Sequence, residues 1–275
     1  MSSDRGSRRL SRQVVGPSAR DWSEDAVAVE EPMEVRVNGA PFAVIMRTPG
    51  ADRELAAGFL LAEDVVRSAD EIGIIEYCDQ VEDEAERANT LAVTVVGDAR
   101  ARLETRLGER RQVMMTASCG LCGRRTIESL QSRVAAVDGA WTVTADVIRG
   151  LPDRLREAQR VFAATGGLHA AGLFDLDGAL ALVAEDVGRH NAVDKVVGRR
   201  LLEGRLPLDR AILAVSGRTS YELVQKALLA GIPVVAAVSA PSSLAVELAR
   251  ASGITLCGFV RGETFSVYAN EGRVA

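Results

Sequence analysis

The stretch AILAVSGRTSYELVQKALLAGIPVVAAVSAPSSLAVELARASGITLCGF, residues 211–259, decides the fold. It opens with a short apolar run at 211–215, too brief for a helix and apolar enough for a strand buried on both faces. Tyr221–Leu229 then repeats at helical spacing, and Gly231 followed by Pro233 is a stop signal. A second apolar run fills 234–238, a second helix 244–251, and a third strand 254–259. The unit repeats at 23 residues: Ser216-Gly217-Arg218-Thr219-Ser220 is echoed by Ser239-Ala240-Pro241-Ser242-Ser243. Strands alternating with helices imply a largely parallel sheet with helices on its faces.

Outward from this stretch the pattern extends in both directions. Residues 264–268 close as an edge strand. Upstream, 170–174 and 179–184 flank Asp177-Gly178 and read as a hairpin, and 191–202 as a helix. Helical spacing covers 145–164, with Pro152 as a kink or restart. An amphipathic helix is expected over 125–136. The N-terminal third is different. Residues 33–37 and 41–46 alternate around Asn38-Gly39, a type I′ turn pair. Leu55, Phe59, Leu60 and Val65 share a helix side, and 72–77 and 90–96 read as strands around an acidic, solvated loop at 79–87. The expected organisation is a flexible polar tail over 1–25, a β-rich subdomain over 26–111, a mobile cysteine loop over 112–124, and an α/β core over 125–275.

Composition bounds the function. The chain has 275 residues, 47% hydrophobic and 26% charged, so it buries a substantial core without disulfides. A net charge of -5 argues against nucleic acid as the main partner. No apolar run of about 18 residues is present, so no membrane span is expected. All but Lys195 and Lys226 of the 33 basic residues are arginines, which genomic base composition explains. The N-terminus has no apolar signal core, and four cysteines are too few for a secreted scaffold, so a cytoplasmic location is expected.

The chemistry gathers at two places. Cys119-Gly120-Leu121-Cys122-Gly123 is a C-x-x-C pair between glycines, followed by Arg124, Arg125 and an expected helix start. Helix N-terminus and guanidinium charge both favour thiolate. Such a pair is half a zinc site, a redox pair, or a sulfur-handling nucleophile with an assisting neighbour. Zinc would want a second close ligand pair, and the only histidines, His169 and His190, do not form one. A zinc deaminase would need H-x-E before P-C-x-x-C, and His169-Ala170-Ala171 lacks the glutamate. The first cysteine of such a pair usually lies furthest out and attacks, so Cys119 is the expected nucleophile and Cys122 its assistant, with no resident metal; a zinc half-site and an incidental pair are the alternatives. Cys78 and Cys257, in apolar strands, read as small buried hydrophobes.

The second place is the sheet edge where strands end and helices begin. Glu185-Asp186-Val187-Gly188-Arg189-His190, Ser216–Ser220 and Ser239–Ser243 all fall there. Helix-start N–H groups and hydroxyls suit phosphate, and Arg189 and Arg218 could supply charge-assisted forks. Ordinary capping by Ser and Thr explains any one turn alone, and His190 is either a ligand contact or a satisfied structural histidine. Gly166-Gly167 ahead of His169 is a turn or a place for a ligand to approach the backbone. No P-loop string is present.

In order along residues 33–270, these strings resemble the FdhD family, the formate dehydrogenase accessory sulfurtransferases. The matches are Arg47-Thr48-Pro49-Gly50 with Glu54–Leu60, then Ser118–Gly123, Gly166–Ala171, Glu185–Lys195 and Ser216–Ser220. The resemblance implies a carrier that accepts sulfur from a cysteine desulfurase as a persulfide on Cys119. It implies delivery to the molybdenum (or tungsten) bis-guanine-dinucleotide cofactor before that cofactor enters formate dehydrogenase. The implied cofactor segment is Phe259-Val260-Arg261-Gly262-Glu263-Thr264, beside Arg218, Thr219 and His190, with a guanine nucleotide as a fragment ligand. A cytidine-deaminase-like three-layer α/β core and a homodimer are implied too. Two rival readings are a chaperone that only binds the mature cofactor and a zinc-stabilised structural protein.

Overall fold

The computed structural model describes residues 6–78, 83–116 and 141–275. The cysteine pair and the helix expected over 125–136 lie outside them.

The deciding stretch folds as its pattern requires. Strands β9 (Ile212–Val215), β10 (Val234–Ala237) and β11 (Thr255–Arg261) are joined by helices α7 (Tyr221–Leu229) and α8 (Ser243–Ser252). The strands pair in parallel, Val234 facing Ile212 on one side and Thr255 on the other. Helix α7 ends in a Schellman motif: Gly231 at φ 73° donates to the Leu228 carbonyl, and Ile232 to that of Ala227. Pro233 then prevents continuation.

Strands β7 (His169–Phe174), β8 (Leu180–Asp186) and β12 (Thr264–Ala269) complete a six-stranded sheet of order β12-β11-β10-β9-β7-β8. The expectation of a mainly parallel sheet needs correction. Hairpin-connected β7 and β12 run against their neighbours, so β7–β8, β7–β9 and β11–β12 are antiparallel pairs. A two- to five-residue connection can only return antiparallel, and both hairpins have short ones.

The sheet lies between two helical layers. Ile212, Ala214, Val234 and Ala236 pack against Ile148, Leu151 and Leu155 of α4 (Ala145–Ala158). Leu213, Val215, Val235 and Ala237 face the opposite layer, formed by α6 (Arg189–Leu202), α7 and α8. The period of two along each strand thus places a buried residue on both faces.

The N-terminal unit is a four-stranded sheet, β4-β3-β6-β5, from β3 (Glu31–Val37), β4 (Ala40–Arg47), β5 (Ile72–Tyr77) and β6 (Thr90–Val95). Asn38 (φ 49°) and Gly39 (φ 82°) make the type I′ turn between β3 and β4. One face of this sheet buries Met33, Val35, Leu91 and Val93 against α1 (Asp52–Ala62), and the same apolar cluster continues into α6. The two units therefore share one core.

Further differences from the sequence reading are local. Residues 7–25, expected in a flexible tail, form with 26–28 an antiparallel ribbon of β1 (Ser7–Val15) and β2 (Arg20–Ala28). Its turn is closed by Gly16 donating to the Ala19 carbonyl, and it is held by ladder bonds and the exposed Arg9–Glu24 and Arg12–Asp25 pairs; its apolar residues Leu10, Val14, Val15 and Trp22 stay exposed, so no buried face marks it in the sequence. A short helix α2 (Glu84–Arg87) lies in the acidic stretch, and α3 (Ala99–Thr116) takes in residues 112–116, expected as part of the cysteine loop. The helix expected over 145–164 is two helices, α4 and α5 (Arg160–Thr165). The break falls at Gln159 (φ -81°, ψ 79°) while Pro152 stays inside α4. The Glu185 carboxylate accepts from the N–H groups of Val161 (2.9 Å) and Phe162 (2.7 Å), a restart signal that lies on another element.

Candidate functional site

Because β8, β9, β10 and β11 share one direction, their carboxyl ends meet at one edge, joined there by the start of antiparallel β7. In open α/β sheets this edge is where ligands bind. The loops are stitched to one another. Ala170 N–H donates to Ser216 Oγ at 2.9 Å, Thr219 N–H to the Ala240 carbonyl at 3.2 Å, and Ser242 N–H to the Thr219 carbonyl at 2.9 Å. Arg261 Nε donates to the Val238 carbonyl at 2.7 Å, tying the β11–β12 turn to the loop after β10.

Between this edge and α4–α5 lies a cavity of about 600 Å³, of the size that holds small-molecule ligands. Ser216, Val238 and Val260 form its floor, and His169, Arg261 and Gly262 its rim. Arg149, Asp153 and Arg156, at helical spacing on α4, form the far wall with Gln159 and Phe162. The Arg156 guanidinium lies 4.0 Å over the Phe162 ring. Three arginines facing one space suit an anionic ligand with fork-like acceptors. Gln159 is buried, and its side-chain nitrogen has no hydrogen-bond partner among the described residues.

Beside the cavity, His190 Nε2 stands 3.0 Å from both Ser220 Oγ and Glu222 Oε2. Burial holds the His190 imidazole below its usual pKa despite Glu222; burial, then Arg189, does the same for His169. Both shifts favour the neutral imidazole, which can accept as well as donate. Thr219 is buried with a hydroxyl that has no partner among the described residues, and Arg189 Nε likewise has none.

Much of the polar string 185–195 is structural. Lys195 Nζ lies 2.7 Å from the buried Asp186 and donates to the carbonyls of buried Thr48 and half-buried Glu185. Thr48 N–H donates to Asp186, and Val187 N–H to Thr48 Oγ1. Asn191 donates to Asp186 and to the Met46 carbonyl. This network clamps the 47–48 segment of the N-terminal unit onto the start of α6, and so fixes Arg189 and His190 at the edge.

The expected site residues divide as follows. Val260, Arg261 and Gly262 line the cavity. Glu263 in the β11–β12 turn, Thr264 at the start of β12 and Phe259 within β11 lie outside the lining; Phe259 is exposed at φ 52° with Arg261 5.9 Å over its ring. That left-handed φ on a bulky residue is strained backbone of the kind found at ligand clamps. His190 and Thr219 are at the edge but not in the lining. Arg218 is exposed and outside the cavity lining. Cys119 and Cys122 fall outside the described residues. The sequence reading missed Arg149, Asp153, Arg156 and Gln159. The first three share a helix face, a visible signal; Gln159 acquires its role from the helix break.

Comparison with known proteins gives a consistent result. A model of the FdhD/NarQ family matches residues 28–275. A protein of Mycobacterium bovis named Sulfur carrier protein FdhD is 52% identical over 253 residues, covering 91% of this chain and 92% of that one. One of the same name from Streptomyces avermitilis is 51% identical over 259 residues, covering 91% and 89%. Among solved structures, a formate dehydrogenase accessory protein from Desulfotalea psychrophila superposes with a TM-score of 0.76 at 26% identity, over 98% of this chain and 99% of that one.

Proposed function

The chain belongs to the FdhD/NarQ family, and from that membership we propose that it is a sulfur carrier for formate dehydrogenase, with Cys119 as the carrying residue. Cys119 thiolate attacks the outer sulfur of a cysteine desulfurase persulfide; the desulfurase thiolate leaves, and the persulfide is now on Cys119. Cys122 assists. The S–S bond of the Cys119 persulfide then breaks: the outer sulfur passes to a reduced molybdenum or tungsten bis-guanine-dinucleotide, a substrate held at the sheet edge whose metal supplies the two electrons, and Cys119 leaves as thiolate before that cofactor enters formate dehydrogenase. The names of the relatives, sulfur carrier and formate dehydrogenase accessory protein, support the sulfur and the target. A cytidine-deaminase-like assignment of the α/β unit and a homodimer belong to the same proposal; the former is supported by the helix–sheet–helix layering.

The observation that carries the binding half is the cavity at the convergent strand ends. Arg149, Arg156 and Arg261 offer charge-assisted donors toward it, and Gly166, Gly167 and Gly262 let a ligand approach the backbone. That donor set fits the phosphates of a guanine dinucleotide. His169, in the cavity lining with its pKa lowered by burial, is the group in this reading that takes a proton as sulfur is delivered. No helix among the described residues is long and apolar enough to cross a membrane.

Calorimetry with GDP, as a fragment of the dinucleotide, tests this reading. Losing one charge-assisted contact of about 1.5–3 kcal/mol weakens affinity roughly tenfold or more. Arg261→Ala is expected to show that loss, and Arg218→Ala, at an exposed position, less than about threefold. Equal affinity of wild type and Arg261→Ala would remove the cavity from the binding site.

A further inference from the structure

Gln159 is a buried polar residue at the cavity whose side-chain nitrogen no described residue pairs. Its side chain is in the interior, 4% exposed, and its amide nitrogen has no acceptor among the described residues. Its backbone is fully committed: its N–H donates to the Arg156 carbonyl at 3.2 Å, and its carbonyl accepts from Ala163 at 3.0 Å. The residue is thus held at the joint between α4 and α5 with only the side-chain amide unspent. A buried donor left unpaired is costly, and native structures keep one where a ligand completes it.

We propose that Gln159 is a specificity-determining residue: its amide N–H donates to the carbonyl oxygen of an oxo-purine base, which selects guanine over adenine. This rests on the nucleotide reading of the cavity. The apolar wall beside it, Leu155 and Phe162, accommodates a planar ring, with Phe162 already fixed by the Arg156 guanidinium. Asp153 in the same wall is an acceptor suited to a ring N–H and exocyclic amine. Guanine presents that complement, a carbonyl oxygen next to N–H donors. Adenine puts an amine where the carbonyl would be, so the amide donor would meet another donor. By turning, the amide could offer its oxygen instead and favour adenine; the surrounding arginines are donors only, which matches a ring bearing acceptors.

The test is calorimetry of the full chain with GDP, IDP and ADP, since IDP keeps the carbonyl oxygen and lacks the exocyclic amine. Wild type is expected to bind GDP and IDP at least about tenfold more tightly than ADP. Gln159→Leu is expected to lose about tenfold for GDP and IDP and to leave ADP within about twofold, so that selectivity collapses. Gln159→Glu, which turns the donor into an acceptor, shifts preference toward ADP and carries the test if the leucine variant does not fold. An unchanged GDP-to-ADP ratio in folded variants would overturn the role of Gln159 while leaving the nucleotide site standing. Tighter binding of ADP than GDP by wild type would overturn it too. Absence of binding by every nucleotide to wild type would take down the nucleotide reading and this inference together.

Discussion

Replacing Gly198 by alanine probes the joint between the two units. Helices α1 and α6 approach backbone to backbone at two glycines. A Cβ on Gly198 would stand 1.9 Å from the Glu54 carbonyl oxygen, and one on Gly58 would stand 2.1 Å from that of Asp194. Ordinary contact begins near 3.4 Å, so α1 and α6 would have to part by more than an ångström. The obstacle is backbone, which cannot swing aside as a side chain does. Overpacking costs about 1–3 kcal/mol, and this geometry belongs at the upper end. Alanine recovers about 1 kcal/mol of helix propensity over glycine. The net loss is about 2 kcal/mol, or about 4–8 °C in Tm for a chain of this size. Thermal and urea unfolding followed by circular dichroism measures it. Gly108→Ala in α3 is the control, because a Cβ there meets open space and only the propensity gain, about 0.5–1 kcal/mol, remains. If Gly198→Ala proved as stable as wild type, or rose with Gly108→Ala, the close crossing would be refuted.

Two further outcomes follow from burial. Cys257 is fully buried and its thiol is pushed up to about 12, so iodoacetamide at pH 8 is expected to spare it in the folded protein and modify it after denaturation; peptide mass spectrometry reads this, and modification in the native state would contradict it. Asp194 is raised from 3.8 to about 6, burial outweighing the attraction of Lys226, so the folded protein holds this proton more tightly than the unfolded chain. Its contribution to stability is therefore present below about pH 4 and lost as pH rises through about 6, an effect of up to about 3 kcal/mol; unfolding of wild type and Asp194→Asn between pH 4 and 7 isolates it, and parallel pH profiles would refute it.

Legibility in the sequence tracked how local each cause was. The Asn38-Gly39 turn and the Gly231–Pro233 stop were legible because a positive φ and a missing N–H are properties of those residues. Strands β9, β10 and β11 were legible because burial on both faces leaves an unbroken apolar run. Helix α3 was not, since its Arg-rich sequence has little apolar periodicity beyond Ala99 and Leu103. The break at Gln159 was not, because the carboxylate that restarts the helix is Glu185, on β8. The convergence of turns on one edge followed from strand direction, whereas the cavity wall came from α4 docking on a face of the sheet distant in sequence. The string 185–195 mixed both kinds of residue: only packing separates the interior Asp186–Lys195 clamp from His190 at the edge.

The central claim is that Cys119 carries the sulfur. It is tested most directly by intact and peptide mass spectrometry after incubation with a cysteine desulfurase and cysteine. The expected result is one added sulfur on the peptide holding Cys119, lost in Cys119→Ser while the circular dichroism spectrum is unchanged, and reduced but present in Cys122→Ser. A Cys119→Ser protein that still acquires sulfur on that peptide, or a wild-type protein that acquires none, would contradict the account.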